Sequence, residues 1–243
     1  MEARVSSDVR MVIVEPHAFT RAAAERIAEA VRAAARARGV CHLALAGGDT
    51  PGPVYDVLSR DASVPWPRVH VWFGDERAVD PDARESNYRL AHDTLLSKVP
   101  VPPAQVHRME AERADRVTAA REYAAMLPER LDVLLLGVGP DGHVASLFPG
   151  RSALAPDAPA VLVVEGPKPP KRRMSIGPDV ILRARETFVL VSGTAKAGAV
   201  QAALEEDGPA FECPARLARS ACWIIDTAAA AFLDKPPRPA PAR

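Results

Sequence analysis

The sequence predicts an α/β fold of three layers, α/β/α, with helices on both faces of a mainly parallel sheet. Three observations lead there. Short apolar runs recur at residues 12–14, 40–46, 69–73, 133–136, 160–164, 187–191 and 222–225. Helical stretches separate most of these runs, and several runs end directly in polar turns that contain glycine. Unbroken apolar runs of this length read as strands buried on both faces. Strands alternating with helices imply parallel crossovers, hence a Rossmann-like sheet. In such sheets ligands bind just beyond the carboxyl ends of the strands, so function is expected at the polar turns.

Composition narrows the reading. A chain of 243 residues is long enough to bury a sizeable core. The expected division is a single α/β domain over residues 1–234 and a Pro-rich, disordered tail over residues 235–243, KPPRPAPAR. Lys+Arg and Asp+Glu both number 31, so the net charge is zero. That balance argues against nucleic acid or a membrane surface as partner and leaves any charged ligand to a local cluster. The three cysteines, Cys41, Cys213 and Cys222, show neither a C-x-x-C pair nor metal-ligand spacing, which fits a reducing, cytoplasmic location. The charged N-terminus lacks an apolar signal segment, and no apolar run approaches the roughly 18 residues of a membrane span.

Residues 12–14 form the first expected strand. Residues 17–38 follow as an amphipathic helix, with Phe19, Ala23, Ile27, Ala30, Val31 and Ala34 on one stripe and Gly39 as its stop. The second strand, 40–46, runs into Gly47-Gly48-Asp49-Thr50-Pro51 and a helix over 52–58. A strand, a Gly-Gly turn and a helix start together suit an anion, because glycine lets the backbone approach closely and the first-turn N–H groups meet the ligand. A plain tight turn capped by Asp49 or Thr50 is the equal alternative. The third strand, 69–73, opens into Gly74-Asp75-Glu76-Arg77, acids and cation side by side, where a polar site is favoured over a solvated loop. A helix follows from Ser86-Asn87-Tyr88 through Leu96, with Ser86 or Asn87 as cap. Then come a proline loop at 100–103, a short strand at 106–108 and a helix over 111–130 that Pro128 ends.

Residues 131–150, LDVLLLGVGPDGHVASLFPG, join the most apolar run to a glycine turn carrying Asp141 and His143, with Ser146 inside an apolar helical start. Residues 151–159 read as a Pro/Ala-rich loop and 160–164 as a strand. The segment 166–175, GPKPPKRRMS, holds Lys168, Lys171, Arg172 and Arg173. Its prolines predict a stiff basic loop without regular structure, either a solvated charge run or the catcher of an anionic substrate. A helix from Ile176-Gly177-Pro178 to Arg183, the strand 187–191 and the turn Ser192-Gly193-Thr194-Ala195-Lys196 follow. Lys196 opens a helix to Leu204, where the dipole disfavours a cation, so an anionic partner is expected for it. Residues 222–225 supply the last strand.

Asp141 and His143 could begin a metal site, but no H-E-x-x-H and no second pair accompany them, so no metal is expected. A nucleophilic triad lacks its G-x-S-x-G. A core histidine is the bland reading of His143, and the flanking glycines at a strand end oppose it. What remains is His143 as a general base on water, oriented by Asp141.

Residues 136–149, LGVGPDGHVASLFP, closely resemble the signature of the 6-phosphogluconolactonases. Residues 46–51, AGGDTP, and 73–77, FGDER, with Ser86-Asn87-Tyr88 downstream, resemble further motifs of that family. So do residues 167–175, with Arg173 as the matching arginine, and Gly193-Thr194-Ala195-Lys196. The motifs keep the family's order over most of the chain. Lys171 stands where the family often has proline, and Asp49 where it usually has serine. The resemblance implies hydrolysis of 6-phospho-D-glucono-1,5-lactone to 6-phospho-D-gluconate, the second step of the oxidative pentose phosphate pathway. It also implies the fold of glucosamine-6-phosphate deaminases and ribose-5-phosphate isomerases, no cofactor, and a monomer or homodimer whose partner is the small phosphorylated lactone. His143, Asp141 and Arg77 take catalytic roles by this resemblance. Gly47, Gly48, Asp49, Thr50, Arg173 and Lys196 hold the phosphate, and Asp75 and Glu76 order the site. Arg77 as oxyanion stabiliser and Arg77 as substrate clamp both stay open. Asp49 is expected to act through its backbone N–H, since a carboxylate beside a phosphate is repulsive.

Two other functions share parts of this pattern. A sugar-phosphate deaminase or isomerase would keep Asp141-Gly142-His143. Deaminases of that type carry tyrosine in place of Arg77 and a glutamate shortly after the histidine, where Ser146-Leu147-Phe148-Pro149 offers no carboxylate. A non-catalytic sugar-phosphate-binding regulator would keep the phosphate loop and Lys196 without needing Asp141 and His143, and the chain shows no DNA-binding segment.

Overall fold

Each of the seven apolar runs is a strand in the computed structural model, which describes residues 10–155 and 157–234. The tail expected at 235–243 lies outside the described residues. The elements run β1 (Arg10–Val14), α1 (Pro16–Arg38), β2 (Cys41–Leu45), α2 (Pro51–Leu58), β3 (Val69–Phe73), β4 (Asp75–Arg77), α3 (Asn87–Thr94), α4 (Arg116–Met126) and β5 (Val133–Gly137). They continue as β6 (Val161–Glu165), β7 (Arg172–Ile176), α5 (Pro178–Arg183), β8 (Glu186–Val191), α6 (Ala197–Leu204) and β9 (Cys222–Asp226).

Six strands form one sheet in the order β1-β9-β8-β5-β2-β3, parallel throughout. Successive strand residues point to opposite faces, so a strand buried at every position has both faces covered. All five residues of β9 and the first four of β5 are buried. Helix α1 touches β1, β2, β5, β8 and β9 through a stripe rich in alanine, which lets helix and sheet approach closely. Gly39 ends α1 in the left-handed region at φ 80°, its N–H donating to the Ala35 carbonyl, as a glycine stop does.

The strand order reverses beside β2. From β2 the chain steps to β3 at one edge, then returns to β5 on the other side of β2 and moves outward to β8 and β9. This reversal opens a crevice beyond the carboxyl ends of β2 and β5. The two richest polar turns of the sequence, residues 47–50 and 137–143, are the segments that leave those ends.

The basic segment departs from its expected loop. Its prolines end at Pro170, and Arg172–Ile176 is β7, the centre of a second, antiparallel sheet of order β4-β7-β6. Proline denies pairing only to itself and biases the residue before it, so the RRMSI sequence beyond is free to join a ladder. Asp75–Arg77, expected as a polar turn, is the short edge strand β4. The strand expected at 106–108 reduces to a single bridge between Val71 and Val106. Helix α4 begins at Arg116 rather than near residue 111, because Asp115 caps it by accepting from the Thr118 N–H. No helix starts at Ser146. Val144 and Leu147 bridge a tight turn, with Ala145 at φ 48°.

Candidate active site

A cavity of about 270 Å³ fills the crevice. Gly47, Gly48, Asp49, Thr50, Asp75, Arg77, His143, Arg173 and Lys196 all line it. Asp141 and Glu76 are not among its lining residues. Each instead holds a neighbour in place.

The glycine loop is built against α2 and α3. The Tyr55 hydroxyl of α2 accepts from the Ala46 N–H and donates to the Ala46 carbonyl, both at 2.8 Å, which pins the end of β2. Gly48 then turns the chain at φ 93°. Thr50 precedes α2 without a side-chain cap bond, so the plain capped-turn reading does not hold. Among the described residues, the N–H groups of Gly48, Asp49 and Thr50 find no acceptor. The Asp49 side chain is exposed to solvent. Any other residue at Gly47 would displace Asn87, because a Cβ there would lie 1.8 Å from its side-chain oxygen. Buried Asn87 is itself fixed, donating Nδ2 to the Asp75 carbonyl at 2.8 Å and carboxylate at 2.9 Å.

The histidine turn closes on itself. The Gly139 N–H donates to the His143 carbonyl and the Gly142 N–H to the Gly139 carbonyl, both at 2.9 Å. Asp141 accepts from the His143 N–H at 3.3 Å and from Nδ1 at 2.5 Å. With a carboxylate on Nδ1, the neutral ring keeps its proton there and carries its lone pair on Nε2. Burial alone would raise the Asp141 carboxyl. The bond from His143, its charge and two backbone N–H groups outweigh burial, and the net shift is downward. The Phe148 ring packs 4.7 Å from the imidazole.

The register of the small sheet sets the charged wall. Asp75 pairs with Ser175, Glu76 with Met174 and Arg77 with Arg173. Arg77 and Arg173 are thus cross-strand partners on one face, an arrangement of like charges that costs stability unless something anionic sits between or beside them. Arg77 donates Nη1 to the Glu85 carbonyl at 2.6 Å, and its buried Nε has no partner among the described residues. The Arg173 guanidinium lies 5.5 Å over Phe148 and donates Nε to the Pro170 carbonyl. Burial lowers the Arg173 pKa, opposed by the Asp75 charge and reinforced by Arg77. Glu76 points away and collects the Arg77, Asn87 and Tyr88 N–H groups and the Ser86 hydroxyl, an acid seated on the positive end of α3. Burial pushes its carboxyl up further than those donors pull it down.

Lys196 faces this wall from the loop after β8. Its Nζ is 3.4 Å from the Thr50 hydroxyl. Burial lowers its pKa, with the Asp49 charge acting the other way. The only hydrogen-bond acceptor it meets among the described residues is therefore neutral. No cluster of His, Cys, Asp and Glu among the described residues has metal-binding geometry.

Sequence reasoning missed the links between these parts. Fully buried Ser146 donates its hydroxyl to Asp75 at 2.6 Å, and its N–H meets the Ser175 hydroxyl at 3.1 Å. The one visible signal was a lone polar residue in the apolar run Val144 to Phe148. Asn87, expected as a possible cap within the Ser86-Asn87-Tyr88 motif, is the spacer between Gly47 and Asp75, while Ser86 is the cap of α3.

The sequence and the fold are similar to those of known proteins. The sequence profile of the family described as glucosamine-6-phosphate isomerases/6-phosphogluconolactonase matches residues 14–225. A 6-phosphogluconolactonase of Mycobacterium leprae is 37% identical over 86% of this chain and 92% of its own length. One of Streptomyces coelicolor is 37% identical over 94% and 97%. Among solved structures, the 6-phosphogluconolactonase of Trypanosoma brucei superposes with a TM-score of 0.80 at 27% identity, covering 93% of this chain and 98% of its own. A monomeric glucosamine-6-phosphate deaminase, 22% identical with a TM-score of 0.79, shares the fold. The chain belongs to the 6-phosphogluconolactonase family.

Proposed function

We propose that this chain hydrolyses 6-phospho-D-glucono-1,5-lactone to 6-phospho-D-gluconate, by attack of a water that His143 deprotonates. The observation that carries the reading is a histidine whose Nδ1 is tied to Asp141 and whose Nε2 is left for a cavity walled by Arg77, Arg173 and Lys196. A δ-lactone is an activated ester. As water adds to C1, Nε2 takes its proton, charge gathers on the carbonyl oxygen, and the ring oxygen leaves as C1 re-forms its double bond. The same proton returns to that oxygen, so one water is consumed and no other group is spent. Asp141 holds the tautomer. Arg77, with its unpartnered Nε, meets the developing negative charge, and Arg173 opposite it lines the same cavity, adding positive charge for the phosphate. The phosphate dianion rests on the Gly48, Asp49 and Thr50 N–H groups and on Lys196, with the Gly47 backbone packed beneath. Asp75 and Glu76 order the wall.

Freshly generated 6-phosphogluconolactone, followed against its spontaneous hydrolysis, tests the activity. Ammonia release from glucosamine 6-phosphate is the parallel assay. Acceleration of the first without the second is expected, and ammonia release alone would overturn the reading.

Lys196→Ala is expected to raise KM for the phosphorylated lactone roughly ten- to a hundredfold, the worth of about 1.5–3 kcal/mol for a hydrogen bond to a charged group. Its kcat changes little. An unchanged KM, with no loss of preference over the unphosphorylated lactone, removes Lys196 from the phosphate.

Burial holds the Lys196 ammonium below its ordinary 10.5. Between that lowered value and 10.5 the free folded chain has shed a proton that the unfolded chain keeps, so stability without ligand rises with pH through this window. A bound dianion restores the proton. Affinity for 6-phosphogluconate is therefore expected to fall as pH rises through the window, with proton uptake on binding. Calorimetry in buffers of different ionisation enthalpy measures this. A pH dependence that survives Lys196→Ala unaltered assigns it elsewhere.

A cytoplasmic location fits three cysteines that are all free and buried. No helix among the described residues is long and apolar enough to cross a membrane.

A further inference from the structure

We infer that Asp226, the last residue of β9, is a positioning residue for the phosphate end of the site: its carboxylate sets the turn from which Lys196 reaches the ligand. The inference rests on the phosphate reading of Lys196 above.

Asp226 is 2% exposed and lies outside every motif that marks the site in the sequence. A buried carboxylate is costly unless its lone pairs are filled. Here they are filled from the neighbouring strand's exit loop. The Ser192 hydroxyl donates to Oδ2 at 2.6 Å, and the Gly193 N–H is shared between Oδ2 at 3.1 Å and Oδ1 at 3.2 Å. The Ala229 N–H donates to Oδ1 at 2.7 Å, and the Asp226 carbonyl accepts from the Ala230 N–H, so the acid's own loop is fixed as well.

Those bonds fall where the β8 exit loop changes direction. Gly193 sits at φ 95°, a conformation open to glycine and strained for other residues, so the chain can reverse here. The Lys196 N–H then donates to the Gly193 carbonyl at 3.1 Å, closing the turn that carries the lysine, and Nζ ends 3.4 Å from Thr50. The carboxylate therefore touches both residues that steer the turn and none that contacts substrate. β8 pairs with β9 in parallel, so the two loops leave the same sheet edge side by side and an acid at the β9 end can reach the β8 exit. Asp226 is not among the charges that act on the Lys196 ammonium. Its role is placement, and substitution should act through geometry.

The test is Asp226→Asn. The amide keeps the size but can offer its oxygen to one side only: its NH2 then faces either the Ser192 hydroxyl and Gly193 N–H or the Gly193 and Ala229 N–H groups, all donors to the carboxylate. The expected result is a rise of roughly tenfold in KM for 6-phosphogluconolactone, the scale of a slightly misplaced ligand group, with kcat within about twofold. KM and kcat for unphosphorylated gluconolactone stay unchanged. In a Lys196→Ala background the same substitution adds no further loss, because the group it positions is gone. Equal losses with both lactones, a fall in kcat at constant KM, or full additivity with Lys196→Ala would overturn the inference.

Calorimetric binding of 6-phosphogluconate against gluconate separates this from the catalytic reading. Weaker binding of the phosphorylated acid alone in Asp226→Asn supports the positioning role even if lactone hydrolysis fails. Equal binding by wild type and variant, or none by either, refutes it. Ser192→Ala keeps the buried charge and deletes one bond, so it remains available should the aspartate variant fold poorly. It is expected to raise the same KM by a smaller factor, and an unchanged KM counts against the role.

Discussion

His143→Ala is expected to lower kcat for 6-phosphogluconolactone by roughly two to four powers of ten, the usual worth of a placed general base. The size follows from how few proton acceptors face the cavity. Its cationic lining, Arg77, Arg173 and Lys196, offers none at neutral pH, and the Asp49 side chain is exposed to solvent on the β2 loop. Asp141 spends its oxygen on Nδ1 of the same ring, and Asp75 is occupied by Asn87 and Ser146. Once the imidazole is gone, water must attack unaided, and only the charged wall still favours the transition state. The phosphate contacts lie on β2 and the β8 exit, so KM should stay within a few-fold. The ring is partly exposed and packs on Phe148, so its loss should cost little stability. Initial rates corrected for spontaneous hydrolysis, together with thermal melting, make the measurement. A kcat within threefold of wild type would take the proton transfer away from His143.

Much of this fold was legible because its parallel strands are buried on both faces. Such strands must be apolar along their whole length, and VLLL at Val133 to Leu136 or CWII at Cys222 to Ile225 leaves little other reading. Helix α1 announced its end through Gly39. The second sheet was hidden for the opposite reason. β4 is three charged residues, and β7 begins with two arginines, so neither carries the apolar content or alternation by which a strand is recognised. Their pairing is decided by partners about a hundred residues away in the chain. The start of α4 was misread because the polar stretch before Arg116 has good helix formers, and only the Asp115 bond to Thr118 fixes the boundary.

The residues of the site were legible where chemistry is local. Asp141 and His143 stand two apart on one turn, and Gly47 to Thr50 form one loop. What binds these pieces is not local. That Arg77 faces Arg173 depends on the ladder register. Ser146 reaches Asp75 across 71 positions, and Ser192 reaches Asp226 across 34. No spacing in the sequence encodes those distances. Gly139 belongs here too: its role becomes visible only once the ring of His143 has a position.

Gly139→Ala is expected to lower kcat by about a hundredfold, the cost of moving a reacting group by about an ångström. A Cβ at this position would lie 2.1 Å from both Cε1 and Nδ1 of His143 and 2.6 Å from the Asp141 carboxylate. Real Cβ atoms do not tolerate such contacts, so something must shift. The backbone is poorly placed to move, since the Gly139 N–H and carbonyl are both engaged within the turn. Gly139 is not among the residues at positive φ, so alanine brings no conformational strain of its own and the effect comes from space alone. The imidazole therefore swings out, breaking its bond to Asp141 and withdrawing Nε2 from the lactone carbonyl. The β2 loop and Lys196 are untouched, which predicts a KM within a few-fold of wild type. The decisive comparison is the double variant. In a His143→Ala background the ring that meets the new methyl is absent, so Gly139→Ala should cost almost nothing more, and the two effects should be strongly non-additive. Additive losses would mean that the glycine acts through the backbone of the turn, and a normal kcat for the single variant would mean that the ring accepts the methyl and its observed place is not the one catalysis needs.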